Sequence, residues 1–268
     1  MVVDTQPQEK KLPVHKSIYL LPNLITSLSM FMGFLSMVWA VQSRFEEAGL
    51  AIVLSALLDG MDGKVARLTH TASEFGVQYD SLADLIAFGL APAFLLWQWQ
   101  LQASMEYHLG RFGVVVAFLF AACGALRLAR FNISTAVTGK RFFIGLPIPA
   151  AGCTVVAFLY FAGILPEFFL PALPYVSIVI ALGLGVLMVS RVRYFSFKEY
   201  DFLRAHPVRY LLAVMVIFGL VYAQPRLFGF LLCAVYICGG LYYSFVILPR
   251  RNRQLLRALN LQDEEKAA

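Results

Sequence analysis

The sequence predicts an all-α integral membrane protein with about eight transmembrane helices and both termini in the cytoplasm. Hydrophobic residues make up 60% of the 268 residues and charged residues only 14%, whereas a soluble domain carries about 25% charged residues. A helix needs about 20 mainly apolar residues to cross a bilayer. Eight apolar stretches reach or approach that length: about 20–42, 47–67, 76–100, 111–130, 147–165, 169–190, 208–224 and 227–248.

The distribution of basic residues predicts the orientation of these helices, because cytoplasmic loops of membrane proteins are enriched in lysine and arginine. With the N-terminus inside, the outer loops contain only Arg44, Arg111 and Arg226 of the 22 basic residues. The net charge of +6 is therefore mainly a topology signal, and we expect no nucleic-acid partner. The first apolar stretch has span length and no small-residue cleavage site, so we expect a membrane helix and not a cleaved signal.

Four aspartates lie near one end of the second and third predicted spans, where a charged side chain is costly to bury. Helical spacing places one stripe of residues on a single face of the second span: Asp59, Asp62, Gly63, Ala66 and Arg67. The same spacing aligns a stripe on the third span: Gly76, Asp80, Ala83 and Asp84. The polar residues between them predict a tight turn, with Ser73 or Thr71 as the N-cap of the next helix. Two antiparallel helices would bring all four acids to one interface.

Four clustered carboxylates cannot all stay ionised unaided, because like charges at short range favour protonation. Two divalent cations would balance the four charges, and all-oxygen ligands favour Mg²⁺ or Mn²⁺ over zinc. A pair of such ions is a recurrent device for phosphoryl transfer. Arg67, on the same stripe, can add a bidentate phosphate contact. The pattern therefore predicts a diphosphate substrate, and the small residues Gly63 and Ala66 leave room for a flat ligand.

An ion pathway is the main alternative, because acids inside the membrane also mark proton or cation transporters. Against it, the four aspartates cluster at one membrane face, and no other predicted span contributes a carboxylate at depth. A capping or solvated role would explain one acid at a helix end, but not four at helical spacing. His70, near the site, is interpreted as a turn residue and not as a phosphate carrier.

The motif from Asp59 to Asp84 resembles the signature of the CDP-alcohol phosphotransferase family without gap or substitution. It consists of D-x-x-D-G-x-x-A-R, then eight residues, then G-x-x-x-D-x-x-x-D. Three further stretches resemble the bacterial membrane-embedded branch that makes phosphatidylserine: LPNLITSLSMFMGF, GALRLARFNIS and FFIGLPIPAAG. The resemblance covers about residues 17–190. It implies a helical membrane enzyme, usually a homodimer, that transfers the phosphatidyl group of CDP-diacylglycerol to an alcohol and releases CMP.

The resemblance also implies a role for each motif residue, with two Mg²⁺ or Mn²⁺ ions as cofactors. The implied metal ligands are Asp59, Asp62, Asp80 and Asp84. The implied nucleotide and diphosphate contacts are Gly63, Ala66, Arg67, Asn23 and Thr26. Asp84 would in addition be the general base, because an alcohol needs proton removal to attack phosphorus. We expect direct in-line displacement with no residue-bound intermediate.

The identity of the alcohol that accepts the phosphatidyl group is predicted from residues at the end of the fourth span. Arg127, Arg130 and Asn132 lie in the branch-like stretch LRLARFN and would hold the carboxylate of L-serine or the lipid phosphate. Lys140 and Arg141 are interpreted as positive-inside anchors. Glycerol phosphate or inositol phosphate would need a denser basic cluster, and choline would need an aromatic cage. We therefore expect L-serine, with these other alcohols as the alternative.

These interpretations divide the chain into four segments. We expect a polar cytoplasmic N-terminus (1–16), a catalytic six-helix core (17–190), two additional transmembrane helices (191–248) and a cytoplasmic tail (249–268). The resemblance to the bacterial branch implies a location in the bacterial cytoplasmic (inner) membrane, with membrane lipid around the protein. The active site is expected at the cytoplasmic face, because the aspartates lie at the predicted inner ends of their helices.

Overall fold

A computed structural model of the protein describes residues 20–69, 73–102, 110–137, 143–194 and 207–249. The helices of these residues are α1 (Leu20–Val41), α2 (Phe45–Leu68), α3 (Glu74–Leu101), α4 (Gly110–Val137), α5 (Ile148–Ala162), α6 (Glu167–Val189), α7 (Pro207–Ala223) and α8 (Pro225–Ile247). Two short strands, β1 (Phe143–Ile144) and β2 (Arg193–Tyr194), pair antiparallel. The following predictions lie outside the described residues: His70, Thr71, Lys140, Arg141, the N-terminal segment 1–16, nearly all of the tail 249–268 and the side chain of Arg67.

The helices occupy the eight predicted apolar stretches, but they are not equally suited to cross a bilayer. Among the described helices, α1, α3, α4, α6 and α8 are long and apolar enough to do so. Helix α5 and the apolar portion of α7 are shorter, and α2 carries charged residues at both of its ends. In its described residues the protein is thus almost entirely helical, and it is a multi-pass membrane protein with five candidate spans. Eight spans and cytoplasmic termini remain predictions.

The outer surface of the bundle is apolar, as a lipid-facing surface requires. Large hydrophobic side chains are exposed on several helices, including Phe34 on α1, Phe118 on α4 and Phe218 on α7. Soluble monomers rarely expose apolar surface on this scale. The buried core lies where α3 passes between α1, α4 and α5, and it contains Phe88 and Leu95 of α3.

Helix α3 changes its winding directly after Asp84. Residues Leu85–Leu90 form a π-helical segment, a feature that often occurs at functional sites. Close packing holds this segment in place, because a Cβ at Gly33 of α1 would lie only 2.6 Å from Cα of Ala87. The close approach of α1 and α3 therefore fixes the backbone just beyond the last aspartate.

The segment before α5 is clamped to the end of α6. The Gly145 N–H donates to the Val192 carbonyl at 2.8 Å, and the Leu146 N–H donates to the Leu187 carbonyl at 3.1 Å. Gly145 has a φ of 85°, and a Cβ there would overlap the Met188 carbonyl. A side chain is thus excluded on both conformational and steric grounds, and the clamp sets where α5 begins.

Candidate active site

The two predicted aspartate stripes meet across the α2–α3 interface. Asp59, Asp62 and Asp80 each place a carboxylate oxygen within 4.8 Å of the other two. The side chain of Asp84 is hydrogen-bonded to that of Asp59. All four acids therefore form one cluster, as the helical spacing predicted.

The start of α3 is set by a side-chain cap. Ser73 has extended backbone angles, and its hydroxyl accepts a hydrogen bond from the Gly76 N–H at 3.0 Å. This satisfies one of the backbone donors left unpaired in the first turn of a helix. Of the two residues predicted as N-cap, Ser73 or Thr71, the structure assigns Ser73. The cap matters for the site because it fixes the register of the helix that carries Asp80 and Asp84.

The donor set of the cluster fits a hard divalent cation. Asp80 Oδ1 is buried and has no hydrogen-bond partner within the portion of the chain that the structure describes. The hydrogen bond between Asp59 and Asp84 needs a proton on one carboxyl as long as no cation balances their charges. Closely spaced carboxylate oxygens are the ligands that Mg²⁺ and Mn²⁺ prefer. The aspartate cluster can therefore bind a metal ion.

A cavity of about 190 Å³ adjoins the cluster on the side of α1 and the start of α3. Asp62 and Asp80 form part of its wall. Four of the five predicted nucleotide contacts also line it: Asn23, Thr26, Gly63 and Ala66. A Cβ at Gly63 would meet no atom within 4 Å. Packing within the protein therefore does not require glycine at this position, whereas a ligand in the cavity would.

Thr26 lines the cavity, and it also makes a hydrogen bond to the aspartate cluster that the sequence did not predict. Its side chain is buried, and its hydroxyl donates to Asp62 Oδ2 at 2.6 Å, with the Pro22 carbonyl as a further acceptor at 3.1 Å. A hydrogen bond to a carboxylate of a metal site orients that carboxylate. Thr26 therefore positions a cluster residue as well as lining the cavity.

Of the predicted acceptor residues, Arg127 and Asn132 lie close to the aspartate helices. Arg127 is only 6% exposed, and its guanidinium attracts Asp84 electrostatically without a direct ion pair. The Asn132 Nδ2 donates to Ser81 Oγ at 3.1 Å, next to Asp80 on α3. The structure thus brings both side chains to the side of the cluster that faces α4.

Arg130 makes contacts that suggest a different role. Its guanidinium donates to the Val189 carbonyl at 2.8 Å and to the Ser190 carbonyl at 3.1 Å. These carbonyls belong to the C-terminal end of α6, where backbone acceptors lack helical partners. Arg130 therefore ties α4 to α6, and its proposed contact with the acceptor or lipid phosphate stays a prediction.

The fold and the site together define a multi-pass membrane protein with an acidic cluster that can accommodate a metal ion. Residues 19–189 match the sequence model of the CDP-alcohol phosphatidyltransferase family. The chain is 39% identical over 238 residues to a CDP-diacylglycerol–serine O-phosphatidyltransferase of Helicobacter pylori, and the match covers 86% of this chain and 91% of the relative. A protein of the same name from Methanocaldococcus jannaschii is 32% identical over 217 residues, or 81% of this chain and 94% of the relative.

An archaetidylserine synthase of Methanothermobacter thermautotrophicus is also similar. It is 34% identical over 180 residues, which cover 66% of this chain and 70% of the relative. The protein described here therefore belongs to the CDP-alcohol phosphatidyltransferase family. The family prediction from the aspartate motif is confirmed.

Proposed function

We propose that the protein is an enzyme that transfers the phosphatidyl group of CDP-diacylglycerol to the hydroxyl of L-serine, forming phosphatidylserine and CMP. The relatives from Helicobacter pylori and Methanocaldococcus jannaschii carry the name of this activity. The observation that carries the proposal is the convergence of three aspartates, with Asp84 beside Asp59, next to a cavity lined by residues of the same motif. The enzyme is proposed to act as a homodimer in the bacterial cytoplasmic membrane, with the cluster at the cytoplasmic face.

The four aspartates would hold two divalent cations, Mg²⁺ or Mn²⁺. When bound, these ions would neutralise the negative charge of the diphosphate and the charge that develops on the departing CMP. Asp62 and Asp80 face the cavity where the diphosphate would enter, and Thr26 keeps Asp62 oriented. The two remaining acids, Asp59 and Asp84, are joined to each other on the interior side of the cluster.

The cavity would receive the nucleotide. Gly63 and Ala66 leave space on α2 for the cytidine, and Asn23 borders the same space from α1. Arg67 follows Gly63 by four residues and so lies on the same stripe of α2, where we propose that it binds the diphosphate. This arrangement directs the reacting phosphorus towards the acids.

Asp84 is the proposed general base. The serine hydroxyl is a poor nucleophile at neutral pH and needs a proton acceptor in the transition state. The Asp84 carboxylate takes this proton while the serine oxygen bonds to the phosphorus of the phosphatidyl group. The bond from that phosphorus to the CMP oxygen breaks in the same step, and CMP leaves. The close approach of α1 at Gly33 to the π-helical segment that follows Asp84 holds the base in place.

CMP release from CDP-diacylglycerol tests the proposal directly. The purified protein, reconstituted in lipid vesicles with Mg²⁺ or Mn²⁺, is given L-serine, glycerol 3-phosphate, inositol phosphate or choline in separate reactions. We expect CMP and phosphatidylserine with L-serine alone, and no CMP after chelation of the metal. CMP release with only one of the other alcohols would identify that alcohol as the acceptor instead. No release with any alcohol, with the vesicles and metals verified, would contradict an enzymatic role and favour the ion pathway.

A further inference from the structure

Helices α1 and α2 are joined by a pair of serines in the interior of the protein. Ser29 is only 2% exposed, and Ser55 is fully buried. Their hydroxyl oxygens lie 2.8 Å apart. The Ser55 hydroxyl donates to the Ser29 carbonyl at 2.9 Å, and the Ser29 hydroxyl has the Ser55 carbonyl as a further acceptor at 3.1 Å. The contact is therefore reciprocal, because each side chain is bonded to the other helix.

Both serines lie on the helix faces that carry the site. On α1, Thr26 precedes Ser29 by three residues. On α2, Asp59 and Asp62 follow Ser55 by four and seven residues. This spacing keeps each set on one side of its helix. The hydrogen bond from Thr26 to Asp62 at 2.6 Å joins the same two helices, so the serine pair and this bond belong to one helix interface.

The serine pair contributes something other than a ligand contact or close packing. Neither Ser29 nor Ser55 lines the cavity beside the aspartates. Alanine is also small and would let the two helices approach as closely. The hydroxyl groups add direction, because their hydrogen bonds form at only one rotation and one longitudinal position of the helices. A buried polar contact of this kind can fix the register of a helix pair.

Helix α1 is also fixed against α3, which carries the other acids. The hydroxyl oxygens of Ser27 and Tyr79 lie 2.7 Å apart, and the backbone at Gly33 closely approaches Ala87. Helix α1 itself contains no acidic residue. It nevertheless contacts both helices that carry the aspartates, and the serine pair forms part of its attachment to α2.

We propose that Ser29 and Ser55 are positioning residues of the metal site, because they fix the register of α1 on α2 in which the Thr26 hydroxyl meets Asp62. The proposal rests on the proposed function of the aspartates as metal ligands. A carboxylate that loses its orienting donor binds a metal ion less tightly. A change in the register of α1 would therefore lower the metal affinity, although neither serine touches the metal.

Direct binding of Mn²⁺ to the purified protein, without substrates, tests this role. The paramagnetic resonance signal of unbound Mn²⁺ gives the dissociation constant. We expect the double variant Ser29→Ala/Ser55→Ala to weaken Mn²⁺ binding about 3–10-fold, which corresponds to the typical strength of hydrogen bonds between membrane helices. In a Thr26→Val background the same double change should add almost nothing, since residues that act through Thr26 have no effect without its hydroxyl.

Ser36→Ala is the matched control. Ser36 lies on the same helix and is fully buried, but its hydroxyl has no hydrogen-bond partner among the residues that the structure describes. Its replacement should leave the Mn²⁺ affinity unchanged. An equal loss in this variant would overturn the proposal, because any small change in α1 would then weaken the site. Unchanged Mn²⁺ binding in the double variant would also overturn it, as would a full additional loss in the Thr26→Val background.

The single variants keep the test decisive if the double variant does not fold. Ser29→Ala retains the bond from the Ser55 hydroxyl to the backbone carbonyl at position 29, and Ser55→Ala retains the carbonyl acceptor of the Ser29 hydroxyl. Each should weaken Mn²⁺ binding about 2–3-fold, and unchanged binding in both would contradict the proposal.

The unsubstituted protein separates this proposal from the proposed reaction. If it bound no Mn²⁺, the metal site and the role of the serine pair would both fail. If it bound Mn²⁺ but released no CMP with any alcohol, the transfer reaction would fail, and the effect of Ser29 and Ser55 on Mn²⁺ affinity would still decide their role.

Discussion

The two sides of the aspartate cluster are built in different ways. On the side of α1 and the start of α3, small residues leave an open cavity, and a Cβ at Gly63 would contact nothing. On the side of α4, Arg127 is buried beside Phe131, and Arg130 of the same helix donates to carbonyls at the end of α6. The first side is built from three helices that follow one another in the chain, α1, α2 and α3. The second is assembled from helices that are distant in the chain.

This difference has a consequence for substrate recognition. A cavity formed by backbone and small side chains can accept a large, flat group without specific polar contacts. A buried guanidinium with an unsatisfied N–H instead rejects ligands that cannot supply an anion, because the cation would remain unpaired. We therefore expect substitutions on the cavity side to change nucleotide binding, and substitutions around Arg127 to change the choice of acceptor. Substitutions can test this division between nucleotide binding and acceptor choice, beginning with the acids that serve both sides.

The largest effect is expected from Asp80→Asn. Asp80 contributes one of the three converging carboxylates and has a buried oxygen free for a cation. Its replacement removes a charged ligand, and a loss of several kcal/mol of transition-state stabilisation corresponds to a decrease in kcat of at least about 10³-fold. The loss should be the same for every acceptor. It can be measured as CMP release over a range of Mg²⁺ and Mn²⁺ concentrations.

The matched control for this change is Glu74→Gln. Glu74 lies on the same helix and is exposed in its first turn, outside the cluster. Its replacement should leave kcat within about twofold, since an exposed charge near a helix end contributes little. Equal losses in the two variants would mean that the activity depends on the general charge of this helix end and not on a metal site.

The second effect concerns the cavity. Gly63→Leu should raise the KM for CDP-diacylglycerol about 10–100-fold, because a bulky side chain would occupy the space beside Asp62, and a few misplaced methyl groups change binding by this amount. The KM for serine should change little. Gly60→Leu is the matched control, because Gly60 is on the same helix and does not line the cavity, and a Cβ there would meet no atom within 4 Å. If both variants behaved alike, the cavity would not be the nucleotide site.

The sequence predicted the cavity side well because its signals are local. Helical periodicity placed Asp59, Asp62 and Asp80 together, and the turn composition narrowed the N-cap to Ser73 or Thr71, of which Ser73 is the cap. Hydropathy located the helices for the same reason. It could not fix the number of spans, because α2 combines an apolar centre with charged ends.

The acceptor side could be predicted only partially. Arg127 and Asn132 were identified from a stretch near the end of α4, but the contacts of Arg130 with Val189 and Ser190 join positions about 60 residues apart. The ring contact between Tyr194 in β2 and Tyr236 in α8 likewise follows no sequence motif and depends on how α8 packs against β2. Side-chain contacts between distant helices follow from tertiary packing, which a single sequence does not encode in a readable pattern.

A third, smaller effect is expected from Thr26→Val, which keeps the shape of the side chain but removes the donor to Asp62. Loss of such an orienting hydrogen bond typically weakens metal binding about 10–100-fold. The Mg²⁺ concentration that gives half-maximal activity should therefore rise by about tenfold, while the rate at saturating Mg²⁺ stays close to that of the unsubstituted protein. Thr26→Ser retains the hydroxyl and should restore the metal dependence. A rise in the KM for CDP-diacylglycerol without any change in metal dependence would show that Thr26 serves the nucleotide only.

The smallest effect on activity is expected from Arg130→Gln. This variant distinguishes the role of Arg130 from that of Arg127. Arg130 donates to two carbonyls at the end of α6, and hydrogen bonds from a charged donor contribute about 1.5–3 kcal/mol each to stability. The variant should unfold at a lower temperature, by about 2–4 °C for each kcal/mol lost, but its serine KM should stay within about twofold. Arg127→Gln should behave in the opposite way, with a large rise in the serine KM. If Arg130→Gln raised the serine KM as strongly as Arg127→Gln does, both arginines would bind the acceptor. The acceptor site would then extend from the aspartate cluster to the end of α6.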